Sequence, residues 1–282
     1  MKMHRVSRAA VIFLLLAVMW AGGRARAQSD PGTDGRTPVP GPLMRLMDLS
    51  LSSVSKESPG ALRGGDVAAR CADEMQAARS YRSWLVKRDF SQAYLKDSEF
   101  AYVEWEFDFV APDRFRVHQV IREKPPLGEM TDERISVGTK HYINPKAWTL
   151  ADEGMAGDFV QVDRSLRPEK FLEILRSGKL DSTTAVRVGA PNESGPAQRF
   201  VVLEYENVRL GDYPILFEVE GMTARARLWI DADTNLLAKG ELIFKGKNAG
   251  NKQIEISFEQ VFADYNSSLS IDVPSRAPRP PK

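Results

Sequence analysis

The chain of 282 residues has a single cysteine, Cys71. One cysteine cannot form an internal disulfide, so the fold must be stabilised by its apolar core. Lipid-anchored exported proteins carry their acylated cysteine directly after the signal segment, and Cys71 lies too far along the chain for that role. A lone cysteine usually behaves as a small apolar side chain, so we assign Cys71 no chemistry. The sequence predicts neither a disulfide framework nor a lipid anchor.

An excess of one charge is also lacking. The chain has 39 Lys and Arg against 38 Asp and Glu, which gives a formal net charge of +1. Acidic and basic residues are interspersed, so there is no basic stripe of the kind that binds nucleic acid phosphates. We therefore expect no nucleic acid partner.

Long apolar runs are scarce as well. The run from Ala9 to Ala21 is shorter than the roughly 20 residues that cross a bilayer. Basic residues precede it and Ala25-Arg26-Ala27 follows it, which is the pattern of a secretory signal peptide. We expect residues 1–27 to be removed and the mature protein to be exported without a transmembrane segment. In a Gram-negative-type bacterium its location would be the periplasm.

Catalytic signatures are missing too. Of the three histidines, His4 belongs to the signal segment, and His118 and His141 lie in alternating segments without a serine or carboxylate at a catalytic spacing. No H-E-x-x-H motif, cysteine pair or phosphate-binding glycine loop occurs. We predict a protein that is not an enzyme and that binds no cofactor.

One acidic stretch begins like a calcium loop, with Asp231, Asp233 and Asn235. Leu236 and Leu242 stand where such a loop needs its glycine and its final glutamate. A hairpin turn explains these residues better, because Asp and Asn stabilise turns through their own side chains. We predict no metal site.

Composition divides the chain into four parts. After the signal segment, residues 28–65 are rich in Gly, Pro and Ser and predict a flexible leader. Its apolar interruption, LMRLMDLSL, could dock as a short helix or stay disordered, and we favour disorder. Residues 66–265 form one domain of about 200 residues, long enough to bury a sizeable core. Residues 266–282 predict a solvated, Pro-rich basic tail.

What is abundant is alternation of apolar and polar residues. In the segment EFAYVEWEFDFV, aromatic residues fall on one side of an extended chain. The carboxylates Glu104, Glu106 and Asp108 fall on the other side, which we interpret as an outward polar face rather than a glycosidase pair. The same alternation recurs in about ten segments separated by turn residues, so each strand should contribute one apolar face to a sheet. The residues expected to line the apolar side as a cavity are Trp105, Phe107, Phe109, Leu242, Phe244, Ile256 and Phe258.

Two segments show helical spacing. The first starts at Asp66, a candidate N-cap, and places Val67, Cys71, Met75 and Ala78 on one stripe. The second, SLRPEKFLEILRSGK, has Pro168 in its first turn and Gly178 at its end. A second sheet, closure into a barrel, or helices could each cover the apolar face; we favour helices on a curved antiparallel sheet that forms an incomplete β-barrel.

The chain resembles the LolA-like superfamily of lipoprotein carriers and related lipoproteins. The resemblance rests on WEFDFVAPDRFRV, on ARLWIDADTNLLAKGEL, and on a matching order of elements from Asp66 to Tyr265. It implies an incomplete barrel with a helical lid and a cavity for acyl chains. The lipoprotein members carry an acylated cysteine that this chain lacks, and the chain is longer at its front than the soluble carriers.

These inferences predict a non-enzymatic carrier, expected to be a monomer, whose ligand is a lipid or an acylated protein. The alternative is an envelope protein-interaction or stress-sensing module that uses the same fold without lipid transfer. An empty, closed cavity would favour the alternative. A weaker third hypothesis, an enzyme, needs polar residues converging inside the barrel, where we expect almost none.

Overall fold

The structure is a computed structural model that describes eleven parts of the chain. They are residues 46–51, 54–57, 63–89, 102–122, 129–144, 149–150, 167–188, 198–208, 220–247, 251 and 253–274. The predicted signal peptide, the first half of the predicted leader and the last eight residues of the predicted tail lie outside the described residues.

The described residues contain twelve strands that pair antiparallel in one sheet. The strands are β1 Ser55–Glu57, β2 Ser80–Asp89, β3 Tyr102–Val110, β4 Arg114–Arg122, β5 Glu129–Val137, β6 Lys140–Ile143, β7 Thr149–Leu150, β8 Leu180–Val188, β9 Gln198–Val208, β10 Glu220–Asp231, β11 Leu237–Lys247 and β12 Gln253–Ala263. Their order in the sheet is β1-β8-β9-β10-β11-β12-β2-β3-β4-β5-β6-β7. Two meanders, β2–β7 and β8–β12, are thus joined where β12 pairs with β2.

The sheet is not closed into a barrel within the described residues, because β1 and β7 stand at opposite ends of the strand order. Short turns connect several neighbouring strands. Gly138, with a φ of 61°, turns the chain between β5 and β6, and Asn235, with a φ of 58°, lies in the turn between β10 and β11. The predicted fold class, a curved antiparallel sheet covered by helices, is confirmed by this topology.

Two helices contribute buried side chains to the core on one face of the sheet, which we call the inner face. They are α1 Gly64–Ala77 and α2 Glu169–Ser177. The α2 prediction is confirmed: Pro168 is its N-cap, Gly178 its C-cap, and Phe171, Ile174 and Leu175 are buried.

The prediction of Asp66 as the N-cap of α1 is wrong. The N-cap is Arg63, which makes no side-chain capping hydrogen bond. A Cβ atom at Gly64 would overlap Thr183 and Leu180 of β8, so the missing side chain lets the helix start earlier and pack closely on the sheet. The stripe with Val67, Cys71 and Met75 is buried as predicted.

The outer face of the sheet carries more apolar residues than expected, since each strand was predicted to be apolar on one face only. The segment 46–51 from the predicted leader packs there, with Leu49 buried against Phe200, Trp229 and neighbouring side chains. Residues 266–274 from the predicted tail also pack onto the protein, and Ile271 is buried in a cluster with Ile135 and Tyr142. Strands covered on both faces carry apolar residues on both, so alternation alone does not show which face is wet.

Lys239 fixes the leader segment to the outer face. Its side chain is 2% exposed, and its Nζ donates to the backbone oxygens of Met47 and Leu49, each at 2.9 Å. The same Nζ lies 2.9 Å from Glu241 Oε1, so the buried cation is paired. Part of the predicted flexible leader is therefore held by backbone contacts as well as by apolar packing.

Candidate functional site

The seven residues predicted to line a cavity lie together on the inner face. Leu242 is directly opposite Phe258, and Phe244 is directly opposite Ile256, on the paired strands β11 and β12. Phe244 and Phe258 meet edge to face with ring centroids 5.7 Å apart. The other three residues, Trp105, Phe107 and Phe109, lie on β3, with β2 between them and β12. Six of the seven side chains are buried and Phe109 is partly buried in one apolar cluster with side chains of both helices.

Other inner-face residues extend this cluster beyond the predicted set. Phe115 on β4 stacks on Phe107 and Phe109, with centroids 5.6 Å and 5.3 Å away. Tyr81 on β2 contacts the rings of Phe107 and Phe262. Their alternating positions in the sequence carry the same signal as the predicted residues. We call this assembly the inner apolar cluster.

Helix α2 docks into the inner apolar cluster through Phe171. A Cβ atom at Gly240 of β11 would overlap the Phe171 ring, so the ring rests directly on the strand backbone. Phe171 also meets Phe262 edge to face, with centroids 6.0 Å apart. The close approach depends on glycine, since any side chain at this position would displace the helix.

A buried polar group lies under the first turn of α2. The Lys170 side chain is 6% exposed, and its Nζ donates to Gln260 Oε1 at 2.6 Å. Gln260 Nε2 in turn donates to Ser83 Oγ at 3.0 Å. Burial lowers the pKa of Lys170 to about 7, against a smaller opposing effect of Glu169. The members of this network come from α2, β12 and β2, so no local pattern in the sequence predicts it.

A second polar group occupies the inner face at β4 and β5. Trp105 Nε1 donates to Gln119 Oε1 at 3.0 Å, and Arg134 Nη2 lies 3.4 Å from the same oxygen. The expectation of almost no polar residues inside the sheet is therefore wrong. Arg134 lies on the inner face because of the register of β5, in which Ile135 faces outward and contacts Ile271.

His118 and His141 each have a neighbour across a strand pair. His141 Nδ1 and Ser136 Oγ lie 2.8 Å apart, and His118 Nδ1 lies 3.8 Å from Glu106 Oε2. A nucleophilic serine also needs a group that orients its histidine. Among the described residues no carboxylate pairs with His141. The Ser136–His141 contact thus lacks the third member of a triad there.

The acidic stretch after β10 forms a hairpin turn. Asp231 Oδ1 accepts hydrogen bonds from the backbone N–H groups of Asp233 and Thr234, at 3.0 and 2.8 Å. Burial alone would raise the pKa of Asp231, but hydrogen bonds from Gln198 and from this turn lower it. Asp231 is thus engaged by the turn, and in the described parts of the chain no three metal-ligating side chains cluster.

A groove of 380 Å³ separates α1 from α2. Its walls include the small residues Gly65, Ala68, Ala69 and Ala72, and its floor includes Leu180 and Tyr205, which are opposite each other on β8 and β9. Ala68, Ala72 and Tyr205 also belong to the inner apolar cluster. The groove therefore leads from the surface to that cluster.

A second groove, of 540 Å³, lies at the other end of α1. It is lined by residues from the end of that helix, from the β3–β4 turn and from 266–269. None of the seven predicted lining residues borders either groove. None of the described helices is long and apolar enough to cross a membrane.

Comparison with known proteins returns solved structures only. No family model matches the sequence, and no curated protein matches it. LprF from Mycobacterium bovis is 11% identical, with a TM-score of 0.45 over 78% of this chain and 99% of that chain. The LolA superfamily protein NE2245 from Nitrosomonas europaea is 8% identical, with a TM-score of 0.22 over 77% and 97%. A DUF1329 family protein from Desulfovibrio piger is 14% identical, with a TM-score of 0.22 over 73% and 93%.

Proposed function

We propose that this protein is an exported, non-enzymatic carrier that holds the acyl chain of a lipid or acylated protein against the inner apolar cluster. The observation that carries this proposal is the cover of that cluster. Two separate helices, rather than a second hydrogen-bonded sheet, supply its described cover. A helix can move without breaking the ladder of hydrogen bonds between strands, so the cluster can open while the sheet stays intact.

The energetics favour an acyl chain as the ligand. Each methylene that leaves water for an apolar site contributes about 0.8 kcal/mol. A chain of about twelve carbons would thus contribute roughly 9 kcal/mol before the losses of association are subtracted. In this proposal the chain lies along the seven predicted lining residues and replaces part of their contacts with α1 and α2.

The test is native mass spectrometry of the gently purified protein, followed by solvent extraction and lipid analysis. Acylated species bound in near-stoichiometric amount would support a carrier and identify its cargo class. A mass equal to that of the bare chain, together with no uptake of a fluorescent fatty acid, would overturn the proposal.

A paired substitution on β12 tests the placement of the ligand. Phe258 is fully buried on the inner face, whereas its neighbour Ser257 is half-buried on the outer face. Phe258→Asp places an unpaired charge in apolar surroundings and should lower the melting temperature or abolish fatty-acid uptake. Ser257→Asp adds the same charge outside and should change neither. Unchanged melting and uptake in Phe258→Asp would refute the placement.

A second candidate function is an envelope protein-interaction module without lipid transfer. The burial of Leu242 and Phe258, both 0% exposed, favours it, because the protein's own atoms cover these side chains completely. The two functions differ in the fatty-acid uptake experiment: a carrier takes up the probe at a stoichiometry near one, and an interaction module takes up none.

A further inference from the structure

We propose that the groove between α1 and α2 is the entrance for the acyl chain, and that the Tyr205 hydroxyl at its floor donates a hydrogen bond to the ester carbonyl of that chain. This inference rests on the proposed carrier function. It adds a location and a ligand chemistry: an acyl chain joined to its head group by an ester.

Small side chains make the groove passable. Gly65, Ala68, Ala69 and Ala72 present at most a methyl group from α1, and Leu175 borders the groove from α2. Its volume of 380 Å³ is near the lower end of the roughly 300–1,000 Å³ of small-molecule sites. The polar residues Asp73 and Arg176 also border it, so a polar head group can stay near the surface while the chain enters.

The phenol of Tyr205 is the polar feature of the groove floor. The residue is 2% exposed, and its hydroxyl has no hydrogen-bond partner among the described residues. A buried hydroxyl without a partner destabilises a fold, so its retention needs a reason. Burial and, to a smaller extent, the Cys71 thiol raise the pKa of Tyr205 to about 12, so the hydroxyl keeps its proton at neutral pH. It is available as a donor.

An ester-linked acyl chain matches these features better than a peptide does. The chain supplies a narrow apolar body, and its ester carbonyl supplies an acceptor without adding a donor. Arg176 of α2 donates to the side chain of Gln76 on α1, which ties the two helices together across the groove. A peptide helix, about 10–12 Å in diameter, would have to break this tie, whereas an acyl chain would not.

The experiment uses two lysophospholipids that differ at one group. One carries its chain through an acyl ester and the other through an alkyl ether, so only the first offers the carbonyl. Dissociation constants are measured for the full mature chain and for Tyr205→Phe, which removes only the hydroxyl. The wild-type protein should bind the ester about 3- to 10-fold more tightly than the ether, in line with one hydrogen bond, and Tyr205→Phe should bind both equally.

A matched pair of substitutions on α1 tests the entrance. Ala69 borders the groove and Arg70 does not, and both are exposed. Ala69→Trp should fill the groove and weaken binding of both lipids at least tenfold, whereas Arg70→Trp should leave both affinities unchanged. Circular dichroism and thermal melting confirm that each variant is folded.

The outcomes separate the two proposals. A wild-type protein that binds neither lipid would overturn the carrier function and this inference together. A wild-type protein that binds both lipids equally, or a Tyr205→Phe variant that keeps the ester preference, would overturn the hydrogen bond and leave the carrier function standing. Equal binding by Ala69→Trp and the wild type would overturn the entrance.

Discussion

Burial of the Lys170 ammonium under α2 should make the stability of the fold depend on pH. Burial lowers its pKa from the ordinary 10.5 to about 7. The unfolded chain keeps this proton up to about pH 10.5, whereas the folded chain releases it near pH 7. Between these values the unfolded state binds more protons, so the stability of the wild-type protein should rise with pH across this window. Below pH 7 both states are protonated, and the destabilisation is constant.

The magnitude follows from the same two pKa values. The shifted pKa of Lys170 lowers the free energy of unfolding by about 4 kcal/mol at pH 7 and by about 2 kcal/mol at pH 9. Lys170→Met removes this penalty but also removes the hydrogen bond from Lys170 to Gln260 Oε1, which costs about 1–3 kcal/mol at every pH. The stability gained by the variant over the wild type should therefore shrink by about 2 kcal/mol between pH 7 and pH 9.

Urea unfolding at pH 7, 8 and 9 measures this difference. The other ionisable groups are shared by both proteins, so their contributions to the pH dependence cancel in the comparison. Lys179→Met replaces an exposed lysine just beyond α2 and retains Lys170, so as the control it should follow the wild-type dependence of stability on pH. Parallel stability curves for the wild type and Lys170→Met would refute the buried-cation argument. Adding Gln260→Leu to Lys170→Met should recover only part of the stability lost with the hydrogen bond, because it also removes the donor to the buried Ser83 Oγ.

Two further substitutions or probes test how the helices dock. Gly240→Ala should destabilise the fold by about 1–3 kcal/mol in denaturant unfolding, because the added methyl group overlaps Phe171. Gly65→Ala is the control and should be neutral or stabilising, because the space around its Cβ position is open. Equal effects of the two substitutions would contradict the close packing of Phe171 on Gly240. Burial raises the pKa of the Cys71 thiol to about 12, so a thiol reagent at pH 8 should label Cys71 only in denaturant. Fast labelling of the folded, unliganded protein would show that α1 is not seated as described.

Alternation along the chain predicted much of the sheet and its inner face. All seven predicted lining residues lie on the face that carries α1 and α2. Alternate positions along β3, β11 and β12 point to the same face, which is why the sequence predicts this placement. Helix α2 was predictable because Pro168, the apolar stripe and Gly178 agree on one helix. These are local signals, and each is complete within a dozen residues.

The parts that the sequence did not predict depend on partners far along the chain. In β5 the alternation favours an inner-face position for Ile135. Pairing with β4 places Ile135 on the outer face instead, where Ile271 covers it. The contact of Lys170 with Gln260 joins residues 90 positions apart. Burial of Lys239 likewise depends on the backbone of Met47 and Leu49, which sequence composition assigned to a flexible leader. A pattern within one strand cannot show which distant segment will cover it.

The path of the leader has a consequence for the solubility of the protein. After crossing the outer face at 46–51, the chain adds β1, whose three residues pair with β8 at one end of the sheet. Without them β8 would present a row of free backbone groups, a template on which a second molecule can add a strand. A shortened chain that begins at α1 would also expose the apolar side chains around Trp229 that segment 46–51 covers. The leader thus protects the sheet from self-association, and polypeptides cut after residue 57 should aggregate where the longer chain stays dispersed.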